Sequence, residues 1–350
     1  MSLAQHLRDR IAVGEWSRGE RLPPEAALAA THAVGVNTVR RAMSLLVADG
    51  VVVRRQGSGT YVSTPPAART PLIGVIVPSL SYYFPTVLKG IEEVAQTSGA
   101  ILRITSSDYD DALEIRGIRE HLAAGCDGLL ITPTLHLTDP SARLDLLRSL
   151  PIPAVLVERM PQDSPPDDGL SAVCTDVVAG GYAAVRHLAR RGRRRIGFLG
   201  RRDTATADAA LRGYRRAIDD LALADLPHAV ARRDAWDDAA LADYARRAHA
   251  AGLDGIVCLG DREATALLPH LRGVGFSLPS DLALVAFDDE EAADAPLPLT
   301  AVSPPKREVG RLAAATLLRQ LGRTGDRAPV RMLLQPSVRA RASSAPAPTS

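Results

Sequence analysis

The chain has 350 residues, 46% of them hydrophobic, and a formal net charge of only +2. A chain of this length is too long to fold around one small hydrophobic core, so we predict two or three domains. Neither a signal peptide nor an apolar run of membrane-spanning length is evident, so we expect an intracellular, cytoplasmic protein with no membrane partner.

Positive charge is concentrated near the amino end. Residues 1–63 contain eight Arg, no Lys and five Asp or Glu, an excess of three positive charges, whereas the remainder is close to neutral. A basic segment joined to a neutral one fits a nucleic-acid reader that carries a second module. Cys126, Cys174 and Cys258 are far apart and lack C-x-x-C spacing, which predicts buried, reduced thiols.

Two helices and a hairpin are predicted within the first 62 residues. Pro23-Pro24 before Glu25 indicates a helix start. A second helix follows from Asn37 to Asp49, because apolar residues recur there at three- and four-residue steps beside a polar stripe. The apolar stripe is Val39, Ala42, Met43 and Leu46, and the polar stripe is Asn37, Arg40, Arg41 and Ser44.

That polar stripe suits a helix lying in a DNA major groove, although an amphipathic helix with a solvated face has the same pattern. After Gly50, the β-branched run Val51–Arg55, the glycine-containing turn Gln56–Gly59 and the run Thr60–Val62 predict a hairpin. A narrow basic ribbon with glycines at its tip can approach the sugar-phosphate backbone; the alternative is a plain β-hairpin.

Residues 3–62 resemble the DNA-binding domain of the GntR (gluconate-repressor-like) transcription factor family. The family's patterns stand here as Leu22–Glu25, Val39–Ala42 and Arg55–Val62. The resemblance implies a winged helix-turn-helix whose reading helix begins near Asn37. Gly35 and Val36 replace polar residues usual in the family, which leaves the operator sequence open. The predicted DNA contacts are Asn37, Thr38, Arg40, Arg41, Ser44, Arg54, Arg55, Gln56, Gly57, Ser58, Gly59 and Thr60.

A proline-rich stretch, Ser63–Pro71, marks the first boundary, so we assign residues 1–63 to the reader and 64–71 to a linker. Beyond it, short apolar runs alternate with helix-length amphipathic stretches, which predicts parallel sheets covered by helices. The runs are Ile73–Val77, Ile101–Ile104, Gly128–Ile131, Ala154–Val157, Ala172–Cys174, Ile196–Leu199, Gly255–Leu259 and Leu282–Phe287. The Arg-rich segment Arg190–Arg195 could form a second nucleic-acid surface, but a basic helix end is favoured.

Polar side chains follow several of these runs. Ligands bind at the carboxyl ends of parallel strands, where carboxylates, Arg and hydroxyls can bind a polyhydroxylated molecule and an aromatic ring can stack on a sugar. For each residue alone, a solvated loop or a helix cap is favoured over ligand contact, but their shared position after strands strengthens the prediction for the set. The predicted effector-binding residues are Tyr82, Tyr83, Asp108, Arg159, Asp176, Trp236, Asp261 and Asp288.

Residues 72–340 resemble the periplasmic-binding-protein-like effector domain of the LacI/GalR family. Matching segments include Ile73–Pro78, Lys89–Glu92, Cys126–Leu130, Arg194–Phe198 and Phe287–Asp289. The combined layout is arabinose-repressor-like, and the resemblance implies effector contacts at Arg159, Asp176, Trp236, Asp261 and Asp288. Ala210 stands where the family has a ligand-binding Arg, with Arg212 shifted by two, and Gly260 stands in place of a frequent Asn.

The predicted fold class is α/β: an N-terminal winged helix-turn-helix joined to a two-lobed periplasmic-binding-protein-like domain. We expect one lobe from residues 71–174 plus 300–328, a second from 175–299 plus a last strand near Val330–Leu334 within 330–340, and a disordered tail over 341–350. Effector binding would close the lobes.

The predicted function is a DNA-binding transcriptional regulator, a repressor whose homodimer leaves a near-palindromic operator when a small sugar-like effector binds. A pentose, another sugar and a non-sugar polar metabolite all remain open as effector. A protein-pairing winged domain and a cofactor-dependent enzyme fused to a winged helix are the rival classes. The enzyme is disfavoured because only Lys89 and Lys306 could form a Schiff base, and because phosphate-loop, zinc-ligand and nucleophile-elbow patterns are lacking. We therefore predict no enzyme activity, cofactor or metal.

Overall fold

The computed structural model describes residues 2–63, 70–135, 140–160, 169–201, 205–224, 226, 229–231, 236–322 and 328–345. The chain divides into two compact units, Met1–Thr70 and Pro71–Ser350. Most of the predicted linker, residues 64–69, and residues 346–350 of the predicted tail lie outside the described residues.

The first unit is a three-helix domain that ends in a hairpin. Its elements are α1 Leu3–Ala12, α2 Glu25–Thr31, α3 Val36–Ala48, β1 Val52–Arg55 and β2 Gly59–Val62. Helix α2 begins directly after the two prolines, and α3 begins one residue before the predicted start, with Gly35 as its N-cap. Strands β1 and β2 pair antiparallel, with Arg55 opposite Gly59. The predicted winged helix-turn-helix is confirmed.

One small hydrophobic core joins these elements. Leu7 of α1, Leu28 of α2 and Val39, Met43 and Leu46 of α3 are each at most 2% exposed. Burying a side chain of this size stabilises the folded state by about 1.5–3 kcal/mol. The apolar stripe of α3 is therefore committed to the core, which fixes its opposite face toward solvent.

The second unit alternates strands and helices along the chain. Its elements are β3 Leu72–Val77, α4 Phe84–Ser98, β4 Ile101–Ser106, α5 Asp111–Ala123, β5 Gly128–Ile131, α6 Pro140–Arg148, β6 Ala154–Val157, β7 Ser171–Thr175, α7 Val177–Arg190, β8 Ile196–Arg201, α8 Ala205–Asp220, β9 Ala229–Ala231, α9 Asp238–Ala250, β10 Gly255–Cys258, α10 Asp261–Gly273, β11 Ala283–Phe287, β12 Thr300–Ser303, α11 Lys306–Leu321, β13 Arg331–Leu334 and β14 Ser337–Arg339. A short 3₁₀ turn, Ala342–Ser344, follows.

Two six-stranded sheets divide this unit into two lobes. The first lobe has the strand order β13-β7-β6-β5-β3-β4, and the second has the order β14-β12-β11-β10-β8-β9. All pairings are parallel except that of β12 with β14. Central strands such as β5, β6 and β11 are buried along their whole length, as expected where helices cover both faces of a parallel sheet. The predicted fold class is confirmed.

The lobe membership of two strands differs from the expectation. Strand β13 pairs with β7 of the first lobe, and β12 pairs with β11 of the second lobe. The assignment of Val330–Leu334 to the second lobe is therefore wrong, as is that of Thr300–Ser303 to the first. Within the described chain the backbone crosses between lobes after β7, after β12 and after β13, so each lobe takes strands from both sides of a crossing.

The start of the predicted tail is ordered. Ser343 is fully buried and its hydroxyl donates to the Leu284 carbonyl at 2.6 Å, while the Thr300 amide donates to the same hydroxyl at 2.8 Å. Arg341 forms an ion pair with Asp289 at 2.6 Å. The expectation of disorder is wrong for residues 341–345, because the Ser343 hydroxyl satisfies backbone groups of β11 and β12 and Arg341 is held by Asp289.

A pair of closely packed helices lies in each lobe, α4 with α11 and α7 with α8. A Cβ atom added to any of four glycines would lie 2.0–2.2 Å from a carbonyl oxygen of the facing helix; these are Gly90, Gly310, Gly181 and Gly213. Only glycine allows the two backbones to approach this closely.

The three cysteines are buried free thiols, as predicted. Among the described helices, none combines the length and hydropathy needed to span a bilayer.

Candidate functional site

The polar face of α3 is open to solvent. The five residues predicted on this face are exposed, whereas Val39, Ala42, Met43 and Leu46 are buried beneath them. The exposed residues are Asn37, Thr38, Arg40, Arg41 and Ser44. Asn and Arg side chains on an exposed helix face can donate to base edges and phosphates.

The β1–β2 hairpin forms an exposed wing with a glycine-containing tip. Arg54, Arg55 and the turn Gln56–Ser58 are exposed, and Gly59 and Thr60 are half-buried. The backbone of Gly59 has φ +123°, and a Cβ there would lie 2.7 Å from the Arg21 Nε. Glycine is thus required where the wing passes this side chain. A narrow tip that bears arginines can lie close to a DNA backbone.

One carboxylate joins the helix face to the wing. Glu25, at the start of α2, accepts from the Arg40 Nε at 2.9 Å and from the Arg54 Nη2 at 3.1 Å, through different oxygens. Both arginine side chains remain largely exposed, at 63% for Arg40 and 49% for Arg54. The Arg of the reading helix and the Arg of the wing therefore belong to one continuous basic surface.

Contacts between the two lobes of the second unit involve the loop after β3 and the loop after β11. The Tyr82 hydroxyl of the first lobe donates to Asp288 Oδ2 of the second lobe at 3.3 Å. Arg262 lies over the Tyr82 ring at 4.5 Å from its centroid and forms an ion pair with Glu291 at 2.6 Å. Burial, followed by the negative charges of Asp288 and Asp261, raises the pKa of Tyr82, so its hydroxyl stays a proton donor.

Lys306 makes a second connection between the lobes. It begins α11 of the first lobe, is almost fully buried, and pairs with Glu290 of the second lobe at 2.5 Å. Its ammonium also donates to the Asp288 carbonyl and lies over the Tyr83 ring. An ammonium held by these groups is fixed as a structural cation, which argues against the Schiff-base alternative.

Tyr83, Glu158 and Thr175 form a buried hydrogen-bonded group at the edge of the first sheet. The Tyr83 hydroxyl donates to Glu158 Oε1 at 2.8 Å, and the Thr175 amide donates to Glu158 Oε2 at 3.0 Å. Burial raises the pKa of Glu158, and the hydrogen bonds from Thr175 and Tyr83 oppose that rise. Burial and then the charge of Glu158 raise the pKa of Tyr83. These contacts leave little of the Glu158 carboxylate free for a ligand.

A cavity of about 230 Å³ lies between the lobes. Arg159 and Asp176, both predicted to contact effector, line it, together with Thr206 and Arg212 from α8 of the second lobe. The Arg159 guanidinium lies over the Tyr109 ring at 5.2 Å, and burial lowers its pKa. Asp176 caps α7 by accepting the Ala179 amide at 2.8 Å. The cavity walls therefore carry charges of both signs and hydroxyl groups from both lobes.

Asp108 and Asp261 are held by contacts within their own lobes. Asp108 accepts from the Ser106 hydroxyl at 2.6 Å. Asp261 is fully buried, and its Oδ2 accepts the amides of Glu290 and Glu291 at 2.6 and 3.0 Å. Burial is the main cause that raises the pKa of Asp261 to about 6; the nearby Asp288 adds to the rise, and the amides of the Glu291 loop oppose it. Asp261 thus ties the start of α10 to the loop that holds Asp288.

Trp236 has a different place from the one predicted. Its indole N–H donates to the Gly200 carbonyl at 2.9 Å, and its ring packs edge-on against Tyr244 in the core of the second lobe. It is not among the described residues that line the cavity. The sugar-stacking role predicted for Trp236 receives no support from this position, because its polar atom and one ring edge are already in use.

Unusual backbone conformations cluster at the cleft loops. Tyr82, Asp108, Glu158 and Asp288 have positive φ angles of 61°, 48°, 61° and 87°. Such conformations cost of order 1–3 kcal/mol each in a non-glycine residue and persist where surrounding contacts impose them. Their concentration at strand ends marks these loops as the part of the module that is shaped for binding.

Both the N-terminal domain and the effector module of the chain are similar to known protein families. Residues 2–62 match the family of bacterial regulatory proteins described as gntR, and residues 185–344 match the periplasmic binding protein-like domain. The arabinose metabolism transcriptional repressor of Geobacillus stearothermophilus is 30% identical over 337 residues, covering 92% of this chain and 90% of the relative. The chain belongs to the GntR-type transcriptional regulators with a periplasmic-binding-protein-like effector domain.

Solved structures of other transcription regulators have a fold similar to that of this GntR-type regulator. A transcription regulator GntR from Chromobacterium violaceum is 32% identical, with a TM-score of 0.66 over 78% of this chain and 99% of that chain. A complex of the regulator CelR with cellobiose is 24% identical, with a TM-score of 0.68 over 92% of this chain and 100% of that chain. The relatives are transcriptional regulators, and this chain is likewise a DNA-binding transcriptional regulator and not an enzyme.

The family's missing arginine has a structural explanation in this GntR-type regulator. Ala210 is fully buried, and its carbonyl oxygen faces Gly181 across the α7–α8 crossing. A side chain as large as Arg would have to leave this crossing to reach the cavity. Arg212, two residues further along α8, lines the cavity instead.

Four further side chains belong to these sites although the sequence did not assign them there. Glu25 was interpreted only as a helix-start residue, and Glu158, Arg262 and Lys306 were not assigned a binding role. The position of Glu158 directly after strand β6 is a signal that the sequence contains, because ligands bind at the carboxyl ends of parallel strands. Arg262 and Lys306 contact residues of the opposite lobe, and a local sequence pattern does not predict such a contact.

Proposed function

We propose that this regulator is a repressor that binds a near-palindromic operator as a homodimer and leaves it when a small polyhydroxylated effector binds between the lobes. The observation that carries the proposal is the shared carboxylate of Glu25, which holds Arg40 of the reading helix and Arg54 of the wing on one surface. Such a surface can read a groove and grip the adjacent phosphates together.

Support for an effector comes from the cavity between the lobes and from the contacts that join them. Tyr82 with Asp288, and Lys306 with Glu290, hold opposite lobes together, so a molecule in the cavity would bias the same closure. The 30% identical relative is named an arabinose metabolism repressor, which favours a sugar-like effector and repression.

Support for a dimer comes from the size of one reader. A single winged domain presents one reading helix and covers only a half-site, whereas a twofold dimer matches a near-palindrome. Lobe closure would change the distance between the paired readers, and the operator would respond to that distance.

The DNA assignment is tested by operator titration with the Arg40→Ala variant, after selection of an operator from random duplex DNA. We expect a tenfold to hundredfold loss of affinity, because one specific arginine contact to a base contributes roughly 1–3 kcal/mol. Arg116→Ala is the matched control, since Arg116 is exposed on α5 and pairs only with Glu120 among the described residues. Equal affinities of Arg40→Ala and wild type would reject the assignment.

The role of the wing is tested by salt dependence. The Arg54→Ala variant should lose about one unit from the slope of log affinity against log salt concentration, because one phosphate contact is removed. A slope identical to that of wild type would place Arg54 away from DNA.

The effector assignment is tested with Arg159→Ala and Asp288→Ala. Both variants should bind operator as wild type does, and neither should be released by the molecule found in a thermal-shift screen of sugars and polar metabolites. Wild-type effector affinity of both variants, measured by calorimetry, would count against the cleft. A non-sugar polar metabolite is the alternative effector, and the charged residues of the cavity help to distinguish the two classes of ligand.

A further inference from the structure

The cavity between the lobes carries more available positive than negative charge. Its charged lining residues are Glu158, Arg159, Asp176 and Arg212, which are balanced in number. The two carboxylates and the two guanidinium groups differ in what else they bind, and that difference decides which ligand charge the site favours.

Both carboxylates accept hydrogen bonds from donors of the protein. Glu158 accepts the Tyr83 hydroxyl at 2.8 Å, the Thr175 amide at 3.0 Å and the Thr175 hydroxyl at 3.2 Å. Asp176 accepts the Ala179 amide at the start of α7. Both oxygens of Glu158 and one oxygen of Asp176 are thus engaged by the protein, and the positive end of the α7 dipole partly offsets the charge of Asp176.

Within the described part of the chain, the two guanidinium groups lack carboxylate partners. Among the described residues, neither Arg159 nor Arg212 forms an ion pair within 4.0 Å, and the Arg159 guanidinium lies over the Tyr109 ring. The charges of Glu114 and Glu158 act on Arg159 only from beyond ion-pair distance. The nearby Glu114 is already paired with Arg143 at 3.1 Å. An arginine has five N–H donors in a planar fork that matches a carboxylate, so unpaired guanidinium groups in a cavity favour an anionic ligand.

Hydroxyl groups and size restrict the anion further. Thr206, in the first turn of α8, places a hydroxyl in the cavity lining that can donate to or accept from a ligand hydroxyl. The Thr175 hydroxyl, which donates to Glu158, can still accept from a ligand. The volume of about 230 Å³ is below the roughly 300–1,000 Å³ of sites for drug-sized molecules. The cavity therefore suits a short, hydroxylated molecule rather than an oligosaccharide.

From these contacts we infer that the effector is a small hydroxylated carboxylate, of the sugar-acid class, whose carboxylate is held by Arg159 and Arg212 from opposite lobes. This inference rests on the proposed function, because it names the ligand of the same cleft. A carboxylate that bridges arginines of the two lobes would itself draw the lobes together, which gives the anion a direct part in closure.

The test compares sugar acids with their parent sugars. Full-length protein is titrated by calorimetry with D-gluconate, D-galactonate, L-arabinonate and D-xylonate, and with D-glucose, D-galactose, L-arabinose and D-xylose. We expect at least one acid to bind at least a hundredfold more tightly than its parent sugar and to release the selected operator.

The Arg212→Gln variant tests whether Arg212 binds the carboxylate of the ligand. It keeps most of the side-chain length and loses the charge, so affinity for the acid should fall at least tenfold while operator affinity without ligand is unchanged. Arg216→Gln is the matched control, because Arg216 lies on the same helix, is exposed and pairs with Asp220. Arg212 is exposed, so its replacement does not threaten folding in the way that a change at the half-buried Arg159 could.

The outcomes separate the inference from the proposed function. If a parent sugar binds as tightly as its acid, or if Arg212→Gln binds the acid as wild type does, the inference is overturned while operator release by the sugar still supports the proposed function. If none of the four acids binds, the inference is likewise overturned. If the protein selects no operator, the proposed function itself fails, whatever the calorimetry shows.

Discussion

Glu25 shows how an acidic residue can contribute to a DNA-binding surface. Its carboxylate lies between Arg40 and Arg54, where it fixes two long side chains that would otherwise be free to rotate. Fixing them reduces the entropy lost on DNA binding, whereas the negative charge itself repels phosphate. Fixing the arginines favours binding to specific DNA, where their positions matter, whereas the repulsion of phosphate weakens binding to specific and nonspecific DNA alike.

We therefore predict that Glu25→Gln lowers affinity for the selected operator about tenfold, or about 1.4 kcal/mol, and leaves affinity for nonspecific DNA unchanged or higher. Fluorescence titrations with the selected operator and with a nonspecific duplex measure the ratio of the two affinities. Glu20→Gln is the control, because the Glu20 carboxylate accepts the Ser17 amide and pairs with no arginine among the described residues. An equal loss on both duplexes would mean that the Gln variant damages the fold and not the alignment.

Asp261 makes the stability of the effector module depend on pH. Burial raises its pKa from 3.8 to about 6, so the folded protein holds this proton more tightly than the unfolded chain does. The stability that the protonated form contributes is fully present below pH 4 and is lost as the pH rises through about 6.

The variant Asp261→Asn cannot ionise and should retain that contribution. We expect it to be more stable than wild type at pH 8, by up to about 3 kcal/mol for two pKa units, and equal to wild type near pH 4. Urea unfolding at both pH values measures the difference. A constant difference across the pH range would show that Asp261 titrates normally.

Charged and aromatic residues were predictable to different degrees. The Arg190–Arg195 segment was interpreted as a helix end, and this is confirmed: Arg190 ends α7, and the Arg193 side chain donates to the Pro279 and Ser280 carbonyls. Trp236 was placed by family resemblance at the ligand, yet its indole binds Gly200. Helix-end charges follow from local sequence, whereas the environment of a tryptophan depends on strands distant in sequence.

At the scale of elements, the helix pairs of the two lobes depend on glycines. A Cβ on Gly310 would lie 2.0 Å from the Val87 carbonyl oxygen of α4. We predict that Gly310→Ala lowers the unfolding free energy of the effector module by about 1–3 kcal/mol or more, because the backbones must separate.

Gly273→Ala is the control for helix propensity. Gly273 is the last residue of α10, and nothing lies within 4 Å of the Cβ it would gain. This variant should be neutral or more stable by up to about 1 kcal/mol. Chemical denaturation distinguishes the two outcomes, and equal effects at both positions would contradict the packing argument.

The strands formed by continuous apolar runs were predictable from sequence, and three short strands of the second sheet were not. Strands β3, β5 and β6 coincide closely with predicted apolar runs, since buried parallel strands are continuously hydrophobic. Strands β9, β12 and β14 have three or four residues each and were not predicted. The pairing of β12, β13 and β14 depends on the crossings between lobes, so a local apolar signal could not assign β12 and β13 to the correct sheets.

At the scale of the whole effector module, three contacts join the two lobes. Tyr82 and Asp288 lie 206 positions apart in sequence and meet only because the loops after β3 and β11 face each other. Their hydrogen bond, the Arg262 contact with the Tyr82 ring and the Lys306 ion pair all stabilise one arrangement of the lobes. Loss of one such contact should shift the module toward open forms.

We predict that Tyr82→Phe increases this opening without unfolding either lobe. The ring and its contact with Arg262 are retained, and one hydrogen bond of about 0.5–1.5 kcal/mol is lost, so the open population should rise roughly 3- to 10-fold. Hydrogen exchange of the full-length protein should show this increase together in residues 79–83 and 288–291, because opening exposes both loops at once. Tyr182→Phe is the control, since Tyr182 lies on α7 and its ring contacts Arg186 and Arg216 of its own lobe. Faster exchange in only one of the two loops would show a local change instead, and the Tyr82 hydroxyl would then have no part in holding the lobes together.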